Sequence, residues 1–457
     1  MKRLIARFVI ETQKGFEAIT IWEDGIERES LASDDATITT LSRNHPAAIW
    51  FERKMHDDYG IRIKDAFDNR PLIQHERFPK GIHPMRRSFQ SETIDYADFR
   101  PYKYETIGGD SVFEVSVGPI HAGIIEPGHF HFSQAGEDIL HQEVRHFYKH
   151  RAIEKMLEGK TLQEAKAVIE RISGNESVAY QIAWRDIVLA ATGTELPEAN
   201  RRYHALLLEM ERTIHHLTDL GFIPNDAGFG AALAYASARA EEARRQLAAL
   251  CGHRFGFGAV GFDAHHIDMD AMHRYLDDLE EKISFFESWI TDIPSLWDRF
   301  DTTGILNRDD ALAYDTVGVV ARASGLARDV RADDPFYEKH GFTLCLQETG
   351  DVAARFKLRL EEVKNAAAMM RNFLTENCES VNLGKMRDGE YHAYAESSLG
   401  ELYLFIRLEN GRIARFFARD PSFVNWQALH RMMPNNIIAD FPLINKSCDL
   451  SYAGNDL

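Results

Sequence analysis

Short alternating runs of apolar and polar residues mark the first hundred positions of the chain. In RLIARFVI and EAITIW the apolar side chains recur at every second residue, which predicts two strands. The next segment, HPAAIWFERKMHDDYGI, has the three- and four-residue spacing of a helix, and turn-rich sequence follows it as far as HPMRRSF. We expect a small α+β domain over residues 1–100.

A second group of strands is predicted after this domain. The runs YKYETIG, VFEVSVGP and HAGIIEPGHFHF are strand-like and are separated by Gly and Pro. From about residue 136 to 300 the apolar residues take a helical period, and Gly221 and Gly252 stand where helix C-caps are expected. We therefore expect these strands to lie at the edge of a mainly helical region.

The last quarter of the chain combines one long helix with more strands. The helix is predicted over residues 350–378, and EYHAYAESS, ELYLFIRLEN and RIARFFARD follow it as strands. Asn410-Gly411, between the last two strands, suits a type I′ hairpin turn. A short helix after Pro421 and a coiled C-terminus complete the prediction. The fold class is α+β, and a large, mainly helical domain with flanking antiparallel strands occupies residues 101–457.

Composition narrows the range of functions. The chain has 457 residues, 44% of them hydrophobic and 27% charged, which is typical of a folded protein with more than one core. A formal net charge of −18 repels phosphate backbones, so nucleic acid is not expected as a partner. Four scattered cysteines without a C-x-x-C pair, and no signal-peptide-like start, favour a reducing cytoplasm. No uncharged apolar run reaches roughly 18 residues, so no membrane span is expected.

Two patterns suggest ligand sites but have simpler explanations. Gly256-Phe-Gly258-Ala-Val-Gly261 matches G-x-G-x-x-G, yet it follows a predicted helix rather than a strand, which favours a close-packing loop over a nucleotide site. His129 and His131 share one face of a predicted strand, but no third metal ligand lies nearby in the sequence, which favours structural histidines. The sequence contains no G-x-S-x-G, H-E-x-x-H or Walker motif, which removes the common hydrolases.

Two ionisable features remain open on the residues alone. Glu126, in GIIEPGHF, is either a solvated turn carboxylate or a buried one with a raised pKa. Arg151 and Glu154 are one helical turn apart, and their simplest interpretation is a surface ion pair that contributes little.

Seven segments give these features a context. In chain order they are GPIHAGIIEPGHFHF, HRAIEK, LLLEMERTIHHLTDLG, CGHRFGFG, VARASGLARDVR, GDVAARFKLRLEEV and DPSFVNWQALHRMM. Together they resemble the large subunit of group 4 energy-converting hydrogenases and its relative, the 49 kDa (D-type) subunit of complex I. Upstream, AIWFERKMHDDYGI and GIHPMRRSF resemble the 30 kDa (C-type) subunit of complex I. The resemblance implies a 30 kDa-type domain over residues 1–100 and a hydrogenase-large-subunit-like domain over residues 101–457.

The hydrogenases of this family hold nickel and iron with two C-x-x-C motifs. Here the corresponding runs are R-I-S-G-N-E at 171–176 and D-L-S-Y-A-G-N-D at 449–456. The four ligand positions are therefore occupied by Ser173, Glu176, Ser451 and Gly454. Soft thiolates hold these metals, and Cys448, one residue before the second run, does not restore them. We expect no nickel–iron site, no other metal and no cofactor bound by this chain.

Complex I uses the corresponding cavity for a quinone headgroup, held by a tyrosine and a histidine. Counting from HRAIEK places Gly174 at the tyrosine position and Ile125 at the histidine position, so neither quinone ligand is present. His121 keeps the first histidine of the family's G-P-x-H run. The cavity would hold a different substrate, a quinone in another pose, or water.

Other family features persist. The resemblance implies that Glu126 lies on a proton route, and that Arg151 and the helix carrying Arg212 and His216 face the iron–sulfur cluster of a neighbouring small subunit, whose potential such groups would raise. Glu176 introduces a carboxylate where a ligand is lost and could accept a proton on reduction.

The expected function is that of a subunit in a membrane-associated, hydrogenase-related oxidoreductase complex. Its expected partners are an iron–sulfur small subunit of the B type found in complex I, and membrane subunits of antiporter-like and H-like type, on the cytoplasmic side of the inner membrane. Electron arrival would be coupled to proton or ion movement through Glu126, His121 and a cavity lined by Ser173, Glu176, Ser451 and Asp449. The alternatives are a quinone reductase with an atypical headgroup site and a redox-silent scaffold or ion-translocation regulator. Hydrogenase activity is the least supported.

Overall fold

The N-terminal region forms a small α+β layer. The structure is a computed structural model that describes residues 2–89, 94–122 and 125–457. The elements of this layer are β1 (Leu4–Thr12), β2 (Gly15–Trp22), β3 (Gly25–Ala32), β4 (Thr37–Thr39), α1 (Ala48–Tyr59) and β5 (Arg62–Lys64). Strands β1, β2 and β3 form an antiparallel sheet in that order, and α1 lies against β1. The two predicted strands and the helix are confirmed.

A second antiparallel sheet follows. It consists of β6 (Val112–Val117), β7 (His129–Ala135) and β8 (Asp138–Arg145). The predicted strand YKYETIG is wrong, because residues 102–108 have no regular structure. The expected onset of helix near residue 136 is also wrong: β8 pairs with β7 first, because DILHQEVR is half-buried on the sheet. Positions 123 and 124 of the third predicted strand lie outside the described residues.

The helical region begins at residue 153. Its helices are α2 (Ile153–Leu157), α3 (Leu162–Ile169), α4 (Ser177–Thr192), α5 (Glu198–Asp226), α6 (Gly230–Cys251), α7 (Met269–Thr291), α8 (Pro294–Phe300), α9 (Arg308–Ala313), α10 (Gly318–Ala323), α11 (Pro335–Lys339) and α12 (Val352–Phe373). The two-residue strands β9 (His265–His266) and β10 (Asn377–Cys378) pair with each other. Helices α5, α6, α7 and α12 pack together into the largest hydrophobic core.

The two glycines predicted as helix caps behave differently. Gly252 ends α6 with φ at 81°, as expected of a left-handed cap. Gly221 lies inside α5 instead. A side chain there would approach Ala236 Cβ to 3.1 Å and Leu233 Cα to 3.2 Å, so this glycine lets α6 pack closely against α5.

The C-terminal region returns to a sheet that ends in short helices. It contains β11 (Gly389–Glu396), β12 (Glu401–Glu409), β13 (Arg412–Arg419), α13 (Pro421–Ala428), α14 (Phe441–Cys448) and α15 (Tyr452–Asp456). The predicted hairpin is confirmed, with φ of 54° at Asn410 and 71° at Gly411. The expected coiled C-terminus is wrong, because α14 and α15 fold back into the core.

One hydrophobic core joins the beginning and the end of the chain. Phe8 on β1 stacks on Phe417 of β13 with 4.3 Å between ring centroids, and Phe51 on α1 meets Phe423 of α13 at 4.8 Å. The α+β class is confirmed. Across the described ranges, no helix is both long enough and apolar enough to cross a bilayer.

Candidate functional site

The two sequence runs that correspond to the family's ligand motifs meet in space. Ser173, in the loop before α4, donates a hydrogen bond from Oγ to Ser451 Oγ at 3.1 Å. Ser451 in turn caps α15 by accepting from the backbone N–H of Gly454 at 2.9 Å. The structure therefore brings three of the four predicted positions to one point between α4 and α15.

Arg151 holds these two loops together. Its guanidinium donates to the carbonyl oxygens of Arg171 at 3.0 Å, Ile172 at 2.7 Å and Ala453 at 2.7 Å. Its backbone N–H donates to the carbonyl of Leu457 at 2.6 Å. The planar fork of arginine suits several carbonyls at once, so Arg151 fixes the geometry of the candidate site.

The predicted surface ion pair of Arg151 and Glu154 does not form. Helix α2 begins only at Ile153, so Arg151 lies outside it. Glu154 is buried and accepts from Arg415 at 2.8 Å, with Lys54 Nζ 3.5 Å away. The two side chains therefore serve different parts of the fold.

Replacing Arg151 with alanine is expected to loosen α15. The loss of three guanidinium–carbonyl bonds should cost about 1.5 kcal/mol locally, which corresponds to roughly tenfold faster amide exchange over residues 451–457. Hydrogen–deuterium exchange checks this result. Arg151→Lys should give an intermediate rate because it keeps the charge but loses the fork. Equal exchange in all three proteins would contradict the role assigned to Arg151.

Glu176 is fully buried beside a second carboxyl group. Its Oε1 accepts from Ser397 Oγ at 2.5 Å, and its carboxyl group lies beside that of Asp420. Tyr180 Oη donates to Asp420 Oδ2 at 2.9 Å. Burial and the neighbouring Asp420 carboxyl raise the pKa of Glu176 well above its ordinary value. Protonation of Glu176 is therefore easier than that of an ordinary glutamate.

The two glycines of the candidate site have opposite surroundings. Gly174 is exposed, and a side chain added there would meet no atom within 4 Å. At Gly454 a Cβ atom would lie 2.1 Å from Asp420 Oδ2. The Asp420 carboxyl thus occupies the space that a ligand side chain at position 454 would need.

Glu126 and His121 border the same region. Glu126 Oε2 accepts from the backbone N–H of Ala453 at 3.0 Å, and Oε1 pairs with Lys149. Its side chain is half-exposed, so Glu126 is neither the fully solvated carboxylate nor the buried one that the sequence left open. The half-buried His121 is hydrogen-bonded through Nε2 to the carbonyl oxygen of Gly128 at 2.7 Å. Glu126 therefore contacts the backbone of α15 on one side and solvent on the other.

His216 and Arg212 lie inside the helical core. His216 Nε2 is 2.7 Å from Glu362 Oε2, and burial lowers its pKa to about 4, so the imidazole is neutral. Arg212 donates to the carbonyl oxygens of Glu396 at 2.6 Å and Ser397 at 2.7 Å. Both residues are 1% exposed in this chain, and the expectation that they face a partner's cluster stays a prediction.

A second buried acidic pair lies behind the 449–456 loop. Lys446 Nζ lies 3.1 Å from Asp219 and pairs with Asp449, and Arg359 donates to Asp219 at 2.9 Å. Burial and the nearby Asp449 carboxyl raise the pKa of Asp219 to about 7. Asp449, predicted to line the cavity, therefore belongs to an ion cluster in the core.

The remaining sequence patterns are structural. The glycine loop follows α6, and its Gly258 N–H donates to Glu170 Oε2 at 2.7 Å, which agrees with a packing loop. His129 and His131 share a face of β7, where His131 lies 3.0 Å from Glu114. Among the residues that the structure describes, no group of three or more potential metal ligands was found.

Comparison with known proteins places this geometry in a family. The model of "Respiratory-chain NADH dehydrogenase, 49 Kd subunit" matches residues 226–382 and 374–456, which is just over half of the chain. This chain belongs to that 49 kDa family. The model of the 30 kDa subunit of the same dehydrogenase matches residues 21–94, so the predicted resemblance to both subunits is confirmed.

The alignments of this 49 kDa family member with three curated relatives cover nearly its whole length. Formate hydrogenlyase subunit 5 of Escherichia coli is 29% identical over 98% of this chain and 81% of its own. Hydrogenase-4 component G of the same organism is 27% identical over 93% and 76%. The C/D subunit of NADH-quinone oxidoreductase from Phocaeicola vulgatus is 24% identical over 96% and 91%. The relatives are thus subunits of hydrogenases and of complex I-like oxidoreductases.

A solved structure supports the same fold. A chain of the membrane-bound sulfane sulfur reductase, an archaeal respiratory membrane complex, superposes with a TM-score of 0.70 at 21% identity, over 76% of this chain and 99% of that one. The 49 kDa family match includes Asp420, Ser451 and Gly454, but it begins at residue 226 and so leaves out Ser173 and Glu176. The assignment of these two residues therefore rests on the contacts described above.

Asp420, Tyr180 and Ser397 are site residues that the sequence analysis missed. Asp420 precedes Pro421 in the DPSF run and reads as a helix cap, and it does cap α13 by accepting from Ser422 N–H at 2.9 Å. No spacing rule connects it to Glu176, because the two residues come from distant segments. The sequence signal for Asp420 was its place in the Asp420-Pro421 dipeptide, which begins the family-like segment DPSFVNWQALHRMM.

Proposed function

We propose that this chain is a subunit of a membrane-associated, complex I-like oxidoreductase complex and couples electron arrival at a partner's iron–sulfur cluster to protonation of the Glu176–Asp420 carboxyl pair. The carboxyl pair carries the proposal, because it stands where the family's hydrogenases place metal ligands. The relatives among hydrogenases and NADH-quinone oxidoreductases support the class of complex.

The residues at the four ligand positions do not fit a nickel–iron centre. They offer two hydroxyl groups, one carboxyl group and a glycine hydrogen in place of four thiolates. Asp420 fills the space beside Gly454, and the Ser173 and Ser451 hydroxyls bond to each other. We therefore derive no hydrogen chemistry at this site.

The carboxyl pair can respond to charge. Glu176 and Asp420 are buried side by side, with Ser397 donating to Glu176 and Tyr180 donating to Asp420, so negative charge on the pair is costly. A unit negative charge arriving roughly 10 Å away, at an effective dielectric constant of about 20, would disfavour this charge by roughly 1.7 kcal/mol, or a little more than one pKa unit. Reduction of a nearby cluster would therefore favour uptake of a proton by Glu176.

An exposed apolar stretch supports a protein partner. Tyr96 is 80% exposed and Ile120 is 85% exposed. Phe99, Ile107, Phe113 and Ile125 are also exposed, so the stretch from 96 to 125 holds six of the large exposed apolar side chains. Single exposed apolar side chains are common, but a concentration of them along one segment is what a contact surface would provide. We assign this stretch to the iron–sulfur subunit, and membrane subunits of antiporter-like and H-like type would hold the complex at the cytoplasmic face of the inner membrane.

The second candidate is a redox-silent scaffold. The direct bonds among Ser173, Ser451, Glu176 and Ser397 favour it, because they fill the site with protein groups. The quinone-reductase alternative would use the open side of Gly174, where no ligand of the family's headgroup site remains.

The test is a redox titration of the intact complex, purified from its native membrane. We expect metal analysis to show no stoichiometric nickel, and the partner cluster's potential, followed by electron paramagnetic resonance, to fall by up to about 59 mV per pH unit, as for one proton per electron. Glu176→Gln should flatten this dependence, because glutamine keeps the shape but cannot take up the proton.

Glu137→Gln is the matched control, because Glu137 is exposed on the turn between β7 and β8 and should leave the slope unchanged. A cluster whose potential is independent of pH in the unmodified complex, or the absence of any co-purifying cluster, would remove the coupling proposal in favour of the scaffold. Re-oxidation of the cluster by added quinone would favour the quinone-reductase alternative.

A further inference from the structure

A cavity outside the candidate site reaches from the surface to a buried carboxyl group. It has a volume of about 540 Å³ and lies between α4, the start of α5, the 3₁₀ turn Val330–Asp333 and β11. Its outer residues Asp186, Arg201 and Asp334 have side chains 39%, 42% and 30% exposed. Arg331 and Glu396, which line it as well, are 4% and 1% exposed. Glu396, which is otherwise enclosed in the core, therefore borders this inlet cavity.

Glu396 belongs to a buried charge network in which carboxyl groups outnumber cations. Its Oε1 accepts from Arg322 at 2.7 Å, and its Oε2 accepts from the backbone N–H of Val330 at 3.2 Å. The network consists of Arg212, Arg322, Arg331, Glu209, Asp329, Glu362 and Glu396. Three guanidiniums thus face four carboxyls, and His216, bonded to Glu362, is neutral. One added proton would balance the network.

Glu396 is the member that can take this proton from water. Glu362 and Asp329 each accept two hydrogen bonds from one guanidinium, whereas Glu396 accepts only one from a guanidinium and borders the cavity. Burial and the nearby Asp329 raise the pKa of Glu396 to about 7, against the opposing effects of Arg322, Arg331 and Arg212. The residue therefore changes its charge near neutral pH.

The end of β11 connects this carboxyl to the candidate site. Ser397, the next residue, donates to Glu176, and Arg212 donates to the carbonyl oxygens of both Glu396 and Ser397. Because Glu396 is adjacent in the chain to Ser397, which donates to Glu176, a change in the charge of Glu396 acts on Glu176 over a short path.

We infer that the inlet cavity is a proton-uptake route, separate from Glu126, in which Glu396 receives a proton from cavity water and neutralises the buried charge network. The step is a proton transfer from a hydronium ion to a carboxylate oxygen of Glu396, which leaves water and a carboxylic acid. The use of this proton in electron transfer rests on the proposed function, whereas the uptake itself is a property of this chain.

The test is infrared difference spectroscopy of the full-length protein during pH titration. The variants are made in an Asp219→Asn background, because the Asp219 carboxyl has a pKa of about 7 as well. We expect a carboxylic-acid carbonyl band that titrates near pH 7, is present below it, and is lost when Glu396→Gln is added. Leu189→Trp, which places a larger ring in the cavity, should slow the appearance of the band after a pH jump by tenfold or more without moving its midpoint. Leu312→Trp, at an exposed position outside the cavity lining, should leave the rate unchanged.

Persistence of the band in Glu396→Gln, or an unchanged rate in Leu189→Trp, would overturn the inference. Circular dichroism of each variant establishes that it is folded. Failure of the proposed function is distinguishable, because it would appear as a pH-independent cluster potential in the complex while the band still titrates in the isolated chain.

Discussion

Replacing Arg322 with alanine should lower the free energy of unfolding by about 3–5 kcal/mol, as is usual when one partner of a buried ion pair is removed. Arg322 is fully buried and donates to Glu362 at 2.7 and 3.0 Å and to Glu396 at 2.7 Å, with Asp329 at 3.2 Å. Its removal leaves these carboxyls in the core without their shared cation. Urea unfolding of the purified chain measures the loss.

The free energy of unfolding lost in Arg322→Ala should become smaller as the pH falls. Although burial opposes it, Arg322 together with His216 and Arg212 holds the pKa of Glu362 well below its ordinary value. Glu362 therefore stabilises the native protein above the ordinary carboxyl pKa, and this contribution is lost as the pH falls through its native pKa. Without Arg322, burial raises that pKa and the folded variant binds protons, so the deficit should shrink between pH 8 and pH 5.

Arg245→Ala provides the control for Arg322. This side chain is 76% exposed on α6, and its loss should change stability by less than about 0.5 kcal/mol at either pH. A deficit in Arg322→Ala that is small, or that grows as the pH falls, would contradict the assignment of Arg322 as the cation that holds the network.

Gly454→Ala should destabilise the protein by about 2–3 kcal/mol through overpacking and loss of a helix cap. The new methyl group would lie 2.1 Å from Asp420 Oδ2. Asp420 cannot move away easily, because Tyr180 and the N–H of Ser422 hold its two oxygens and Glu176 lies beside it. Thermal and urea unfolding report the change.

Gly174→Ala is the matched control in the same site. Nothing lies within 4 Å of a Cβ at this position, so the substitution should be within about 0.5 kcal/mol of neutral. Asp420→Ser should partly rescue Gly454→Ala by making room. Equal stability of the two alanine variants would mean that Asp420 does not occupy the fourth ligand position.

Local periodicity predicted much of the fold, and its failures have physical reasons. Strands β1 and β2, the strands of the C-terminal sheet, helix α12 and the Asn410-Gly411 turn could be predicted because each has a strong pattern of its own, whereas β3 was not predicted. Strand β8 was missed because its burial comes from pairing with β7. Gly221 was read as a cap because its role, close contact with α6, depends on a second helix.

The candidate site was predictable only in part. The motif runs brought Ser173, Glu176, Ser451 and Gly454 into consideration, and the structure places three of these positions together. Asp420 could not be paired with Glu176, since contacts between distant segments leave no trace in spacing. The bond between His216 and Glu362 could not be predicted, because a polar side chain on a helix can face a buried network as well as a surface.

The stacking of Phe8 on Phe417 has a consequence for assembly. Because β1 and β13 share one core, the contact between the N-terminal layer and the C-terminal sheet is the kind that would otherwise have to form between two polypeptides. A covalent connection turns that encounter into an intramolecular one, with an effective concentration in the millimolar range for a short flexible linker. The two parts are therefore made in equal amounts and meet at a rate that does not fall on dilution. Translation of one chain fixes the ratio of the N-terminal layer to the C-terminal sheet at one to one.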